Sequence, residues 1–249
     1  MNRSFRTDSG IVVPAVTTDQ MIEVDRLAMH EIGPNLFQMM ENAGRNLALQ
    51  AIDCLGERRR SAKIVVLAGT GGNGGGGICA ARHLANHGAN VALYLTAPDR
   101  LREVPAWQYR VYRATAGRQI DAAGLRAATD STDLVIDALI GYSLRAAPRG
   151  AALDAIKWAG SGSAPILALD VPSGIDATTG RAPGASIRAR WTMTLALPKT
   201  GLQQESCGAL WLADIGIPAA LYAAPTLSLA YRNPFDQRYR VPLSVTERD

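Results

Sequence analysis

Seven glycines crowd into nine positions, Gly69 to Gly77, between the β-branched run Ile64-Val65-Val66-Leu67 and a helical stretch read from Ile78 to Asn86. Glycines this dense read as a loop rather than a packing device. Without Cβ atoms the backbone can approach a ligand, and its N–H groups together with the next helix N-terminus form an anion cradle. The bland alternative is a flexible connection. Placement after a strand favours the cradle, because open α/β sheets bind ligands at the carboxyl ends of their strands. The spacing fits neither a usual Rossmann fingerprint nor a P-loop, whose last glycine is followed by Lys. An unusual dinucleotide site is the expectation.

The rest of the chain supports a sheet of this kind. Thr17 and Gln20 have capping-box spacing ahead of Met21, Val24, Leu27 and Ala28, predicting a helix over 18–30. Gly33-Pro34 breaks the pattern, and Leu36, Met39, Met40, Ala43 and Leu47 mark a second helix to about Cys54. Two helices are thus expected ahead of the first strand. Further strands are expected at 91–95, 134–137, 166–170, 193–197 and 210–213, with helices near 105–114 and 151–159. Strands apolar on both faces and alternating with helices imply an α/β fold with a mostly parallel sheet covered on two sides. Residues 223–249 carry Pro225, Pro234 and Pro242 and read as a tail wrapping the surface or a partner subunit.

Length and composition narrow the class. The 249 residues, 47% of them hydrophobic, suit one domain over 1–249 with one continuous core. The net charge of +4 is scattered; its densest run, Arg58-Arg59-Arg60, reads as a solvated helix end, so no nucleic-acid partner is expected. Cys54, Cys79 and Cys207 stand far apart, too few and too odd in number for a disulfide framework, which fits a reducing cytoplasm. Met1 to Val16 lacks the apolar run of a secretory signal, and no segment is apolar enough to span a membrane.

Two other strand ends carry acids. Asp137-Ala138-Leu139-Ile140-Gly141 ends a strand in a carboxylate followed by a glycine turn; it reads equally as a site residue or a loop brace. In Leu169-Asp170-Val171-Pro172-Ser173-Gly174-Ile175-Asp176, Pro172 fixes φ and Gly174 permits positive φ, so the turn can hold Asp170 and Ser173 in defined directions. Asp176 is read as a brace. His30, His83 and His87 form no nucleophile or metal pattern, and His83 is read as packing or surface. Carboxylates with Ser and Asn oxygens on one rim suit a hard or alkali cation rather than zinc.

In this order the motifs resemble the NAD(P)H-hydrate epimerases, the YjeF N-terminal domain family. The resemblance rests on Gly69 to Gly77, Asp137 to Gly141, Asp170 to Asp176 and Pro198-Lys199-Thr200-Gly201-Leu202. Met40-Glu41-Asn42-Ala43-Gly44-Arg45 upstream and Ala213-Asp214-Ile215-Gly216-Ile217-Pro218 downstream extend it over about 17–222. It implies a Rossmann-like three-layer αβα sandwich, usually a homodimer, that interconverts the R and S forms of NADHX and NADPHX. By motif position, Asn73, Asp137 and Ser173 would ligate a potassium ion. Gly72, Asn73, Gly74, Gly75 and Gly76, then Gly141, Tyr142, Ser143, Leu144, Arg145, Ala146 and Ala147, and Asp170 would contact the hydrated dinucleotide. Asp170 would also be the acid that protonates the leaving hydroxyl. The sequence departs from the family pattern at Gly72, where the family has Asn, and at Gly76, where it has Asp. A nucleotide-binding or scaffold protein that has lost turnover on the same fold is the alternative. Many family members carry a fused kinase-like dehydratase domain; the length here predicts a dehydratase acting as a separate partner.

Overall fold

The computed structural model describes residues 3–247. In chain order the first half comprises β1 (Arg3–Thr7), β2 (Val12–Val13), α1 (Thr18–Leu27), α2 (Leu36–Leu55), β3 (Lys63–Ala68), α3 (Gly72–Asn86), β4 (Asn90–Leu95) and α4 (Glu103–Tyr112). The second half comprises β5 (Arg118–Ile120), α5 (Ala122–Ala127), β6 (Leu134–Ala138), α6 (Gly150–Ser161), β7 (Ile166–Leu169), β8 (Trp191–Leu195), α7 (Gln204–Cys207), β9 (Ala209–Ala213), α8 (Ala219–Tyr222) and β10 (Arg240–Glu247). Among the described residues, ten strands form one sheet in the order β2-β1-β10-β9-β8-β7-β6-β3-β4-β5. The seven from β9 to β5 run parallel, and β10, β1 and β2 add an antiparallel edge.

The α/β fold with a mostly parallel sheet is therefore the one expected. Its strands are buried on both faces: Ile64, Val66 and Ala68 of β3 pack with α2 and α3 residues such as Leu47 and Ile78, while Val65 and Leu67 pack with Ala155 and Ile156 of α6. That double burial explains the continuous apolar runs. The chain moves outward from β3 to β4 and β5, then returns to place β6 on the other side of β3. Such a reversal opens a crevice at the strands' carboxyl ends, where ligands of doubly wound sheets bind.

Several expectations change. The capping box of Thr17 and Gln20 is present, and Asn35 with Gln38 supplies a second one at the start of α2. The first helix ends as α at Leu27 and continues as one π-helical turn to Ile32. Two helices do precede the first parallel strand, but the β1–β2 hairpin comes before them and was not expected. The tail does not simply wrap the surface: β10 lies inside the sheet between β1 and β9, with Val241 and Leu243 buried. The last two tail residues, 248 and 249, lie outside the described residues. Among the described residues, no helix is long and apolar enough to cross a membrane.

The largest correction concerns the glycines. Gly72 to Gly77 are not a loop but the first turns of α3, which starts from Gly71 as its N-cap. A Cβ at Gly74 would collide with the carbonyl of Gly69, one at Gly75 with Met40, and one at Gly77 with Ala138. These glycines are a packing device after all. Each costs about 1 kcal/mol in a helix interior relative to Ala, and the sequence accepts that cost to seat the helix N-terminus hard against β3, β6 and α2.

Candidate functional site at the strand ends

The crevice predicted by the topology is a cavity of about 170 Å³ lined from seven parts of the fold. Met21 and Asp25 come from α1; Leu36, Met39, Met40 and Ala43 from α2; Gly72, Asn73 and Gly76 from the start of α3. Gly141, Tyr142 and Ser143 follow β6, Asp170 follows β7, and Leu195 and Lys199 come from the end of β8 and the turn beyond it, with Ile215 after β9. The glycine segment and the turns after Asp137 and Asp170 thus meet in one pocket.

Asp170 sits at its floor. The residue is 3% exposed and has φ of 69°, a left-handed conformation that a non-glycine residue adopts only under constraint. Lys199, fully buried, forms an ion pair with its Oδ1. Leu195 N and Thr194 Oγ1 also reach Oδ1, at 3.3 and 3.4 Å, and Tyr142 N reaches Oδ2 at 3.2 Å. All four neighbours are donors, a set that suits a carboxylate. Lys199 in turn donates to Leu195 O at 2.9 Å. Ala196, at φ of 61°, bends the chain just after β8, so the Pro198-Lys199 turn brings the ammonium group back beneath Asp170.

A second carboxylate lies deeper. Asp137 is fully buried, accepting from Ser173 N at 2.8 Å, Ser173 Oγ at 2.6 Å and Leu139 N at 3.2 Å. Burial pushes its carboxyl up to about 6 against the pull of those hydrogen bonds. Ser173 Oγ also contacts Ile140 O at 3.2 Å and accepts from Ile140 N at 2.9 Å. Asn73 packs against Gly141, next in sequence to Ile140, and its buried Nδ2 has no hydrogen-bond partner.

The other expected contact residues divide. Gly74 and Gly75 are buried beneath the wall rather than on it. Leu144, Arg145, Ala146 and Ala147 continue outward past Ser143, with Arg145 and Ala146 exposed, and do not line the cavity. Gly76 does line it; its Cβ position is 2.8 Å from Leu169 Cδ2, so Leu169 fills the space that a family carboxylate would need. Asp176 braces its turn as expected, accepting from Thr178 N, Thr179 N and Thr179 Oγ1.

Two of the three charged lining residues, Asp25 and Lys199, had no functional role in the sequence reading. Lys199 stood within a quoted motif, and its signal was a lysine directly after a strand-end proline. Asp25 gave none, since an acid on an amphipathic helix reads as solvent-facing. Its Oδ2 accepts from Tyr142 OH at 2.5 Å, and burial raises its carboxyl above the usual range, partly opposed by that hydrogen bond and by Lys199.

Apart from the pocket, Glu41, Cys79 and His83 cluster closely enough to suggest a metal. The cation position is already taken: Arg82 Nη2 lies 2.6 Å from both Glu41 oxygens, 3.2 Å from His83 Nε2 and 3.4 Å from Cys79 Sγ. Gln108 adds a bond to Glu41 at 3.2 Å. The cluster braces α2, α3 and α4, consistent with the packing role read for His83.

Comparison with known proteins identifies the family and the fold. The family profile described as YjeF-related protein N-terminus matches residues 36–201. An NAD(P)H-hydrate epimerase of Dehalogenimonas lykanthroporepellens is 48% identical over 248 residues, covering 100% of both chains. An NAD(P)H-hydrate epimerase of Pirellula staleyi is 34% identical over 80% of this chain and 90% of its own. The bifunctional NAD(P)H-hydrate repair enzyme Nnr of Moorella thermoacetica is 36% identical over 84% of this chain, which spans 41% of that longer protein. Among solved structures, yeast ynu0 superposes with a TM-score of 0.77 over 92% of this chain and 100% of its own, at 22% identity. That likeness concerns the fold.

Proposed function

Because the chain belongs to the YjeF-related N-terminal family, we propose that it is an NAD(P)H-hydrate epimerase, an isomerase interconverting the R and S forms of NADHX and NADPHX in the strand-end pocket. The observation that carries the reading is the buried Asp170–Lys199 pair opening onto that pocket beside the N-terminus of α3. The first N–H groups of a helix lack intrahelical partners and attract anions. Those of Gly72 and Asn73 suit the pyrophosphate of the dinucleotide, leaving the hydrated ring to face Asp170.

The epimerised carbon bears a hydroxyl beside a ring nitrogen. Losing the hydroxyl as water leaves an iminium-like cation, and water returning to the other face gives the epimer. Asp170 is the catalytic carboxylate of this proposal, but its four donors change its part. A carboxylate so held stabilises the developing positive charge; it is poorly arranged to supply the proton first assigned to it.

Asn73, Asp137 and Ser173 fit a potassium ion. Asp137 is a fully buried carboxyl pushed up to about 6 by burial, and its hydrogen-bond donors, Ser173 N, Ser173 Oγ and Leu139 N, are all neutral. Ser173 Oγ and Ile140 O stand beside it as hard oxygen donors. A bound potassium ion would supply charge neutralisation there. At constant ionic strength, potassium chloride is expected to raise the melting temperature relative to tetramethylammonium chloride, with Asp137→Asn abolishing the difference. Equal melting curves in both salts would remove the ion from this reading.

The reading extends to a homodimer, for which the exposed edge-on pair Phe37 and Trp107 offers an apolar face, and to a cytoplasmic protein working with a dehydratase. It treats the described chain as one domain, because β1 and β10 complete the sheet that carries the pocket. The decisive experiment is a chromatographic assay of R-to-S exchange by the purified protein. Exchange well above the spontaneous rate is expected. Hydrate binding without exchange would instead identify a binding or scaffold protein.

A further inference from the structure

The pocket is lined by two acids, Asp170 and Asp25. Asp25 enters from α1, an element far in sequence from the strand ends, and its carboxyl lines the same cavity as Asp170 and Lys199. One residue, Tyr142, is bonded to both acids: its backbone N donates to Asp170 Oδ2 at 3.2 Å, and its hydroxyl donates to Asp25 Oδ2 at 2.5 Å. The two carboxyl groups differ in their company. Asp170 has a buried ammonium group and three further donors, whereas Asp25 has one phenol, and Lys199, whose charge pulls its carboxyl down, is paired with Asp170.

We infer that Asp25 is the proton carrier of the epimerase, giving a proton to the leaving hydroxyl and recovering it from the returning water. This rests on the hydrate-epimerase reading. In the forward step the Asp25 carboxyl O–H bond breaks and its proton joins the hydroxyl oxygen. The carbon–oxygen bond breaks with its electron pair leaving on water, and the ring nitrogen lone pair forms the carbon–nitrogen double bond of the cation. In the return step a water oxygen bonds to that carbon, the nitrogen recovers its pair, and the surplus proton passes to the Asp25 carboxylate, directly or through another water. A cavity of about 170 Å³ has room for several waters. Atoms, charge and electrons balance with no oxidant or reductant.

Pairs of acids in unlike surroundings are how sites separate an acid from a charge stabiliser. Burial raises the Asp25 carboxyl, Asp170 raises it further, and the Tyr142 hydrogen bond and Lys199 oppose the rise. Tyr222 of α8 also senses Asp25 through its charge. These are the groups whose state bears on its titration.

The test is the pH profile of the exchange rate, corrected for spontaneous exchange, in wild type, Asp25→Asn and Tyr142→Phe. An acid that must be protonated gives a rate that falls as pH rises through its pKa. Asp25→Asn is expected to lower exchange about 10²-fold and to lose that fall while still binding NADHX in equilibrium dialysis. Tyr142→Phe removes a hydrogen bond that favours the ionised form, so its fall is expected at higher pH than in wild type. A merely structural part for Asp25 would not move the profile in this sense. If wild type is active and Asp25→Asn keeps a rate within threefold of it, or if Tyr142→Phe leaves the fall in place, the inference is overturned and the epimerase reading stands. If Asp25→Asn does not fold, the Tyr142→Phe shift decides alone. Wild type without exchange above the spontaneous rate removes both.

Discussion

Lys199→Met is expected to destabilise the protein by about 3–5 kcal/mol and to reduce exchange to the spontaneous rate. The magnitude follows from what the substitution leaves behind. Lys199 is fully buried and Asp170 is 3% exposed, and removing one member of a buried ion pair strands the other as an uncompensated charge. Asp170→Asn should be costly for the mirror reason, with exchange falling at least about 10²-fold as the stabilising charge is lost. The double variant Lys199→Met with Asp170→Asn leaves no net buried charge and should recover most of the stability of either single variant, while remaining inactive. Urea unfolding of the four proteins supplies the cycle. Stability losses that simply add would show that the pair is not coupled, and would take away the reason for assigning Asp170 its charge.

The same pair shows how far the sequence could be read. The parallel sheet was legible because double burial leaves largely apolar runs at β3, β4, β6, β7 and β9, while β8 alternates Trp191, Met193 and Leu195 with two threonines. The antiparallel edge was not. In β1 the chain reads Arg-Ser-Phe-Arg-Thr, with only Phe5 wholly apolar, and Pro242 in β10 disguised the alternation of Val241, Leu243 and Val245. The short β5 offers three residues, too few for any period. Within the site, the strand-end acids Asp137 and Asp170 could be picked out because each ends an apolar strand and leads into a Gly- or Pro-containing turn, although that pattern alone did not separate a site residue from a loop brace. Lys199 could be quoted as part of a motif without revealing its partner, since a lysine reaches Asp170 only through the bend at Ala196. Asp25 was hidden because it lies one turn from Met21 on the buried face, where period 3.6 marks the apolar positions but gives no sign that a carboxyl among them borders a pocket.

The glycine run was misread because chain sterics, unlike periodicity, depend on what packs alongside. The reading corrected by the structure makes a position-specific prediction. Gly74→Ala places a methyl group against the Gly69 carbonyl. Backbone at the end of β3 cannot move aside without breaking the Gly69 N bond to Ala138 O at 3.1 Å, which ties the turn to β6. Overpacking commonly costs about 1–3 kcal/mol, and an obstruction by backbone belongs at or above the top of that range. Gly72→Ala is the control. It lies two residues earlier in the same helix, has nothing within 4 Å of its Cβ position, and should gain about 0.4–1 kcal/mol by restricting the unfolded chain. A loop that merely cradles an anion would tolerate the two substitutions alike. A difference of several kcal/mol between them, measured by urea unfolding without ligand, is expected if the glycines seat α3 against the sheet. Equal stabilities would return the segment to the flexible loop its composition suggests.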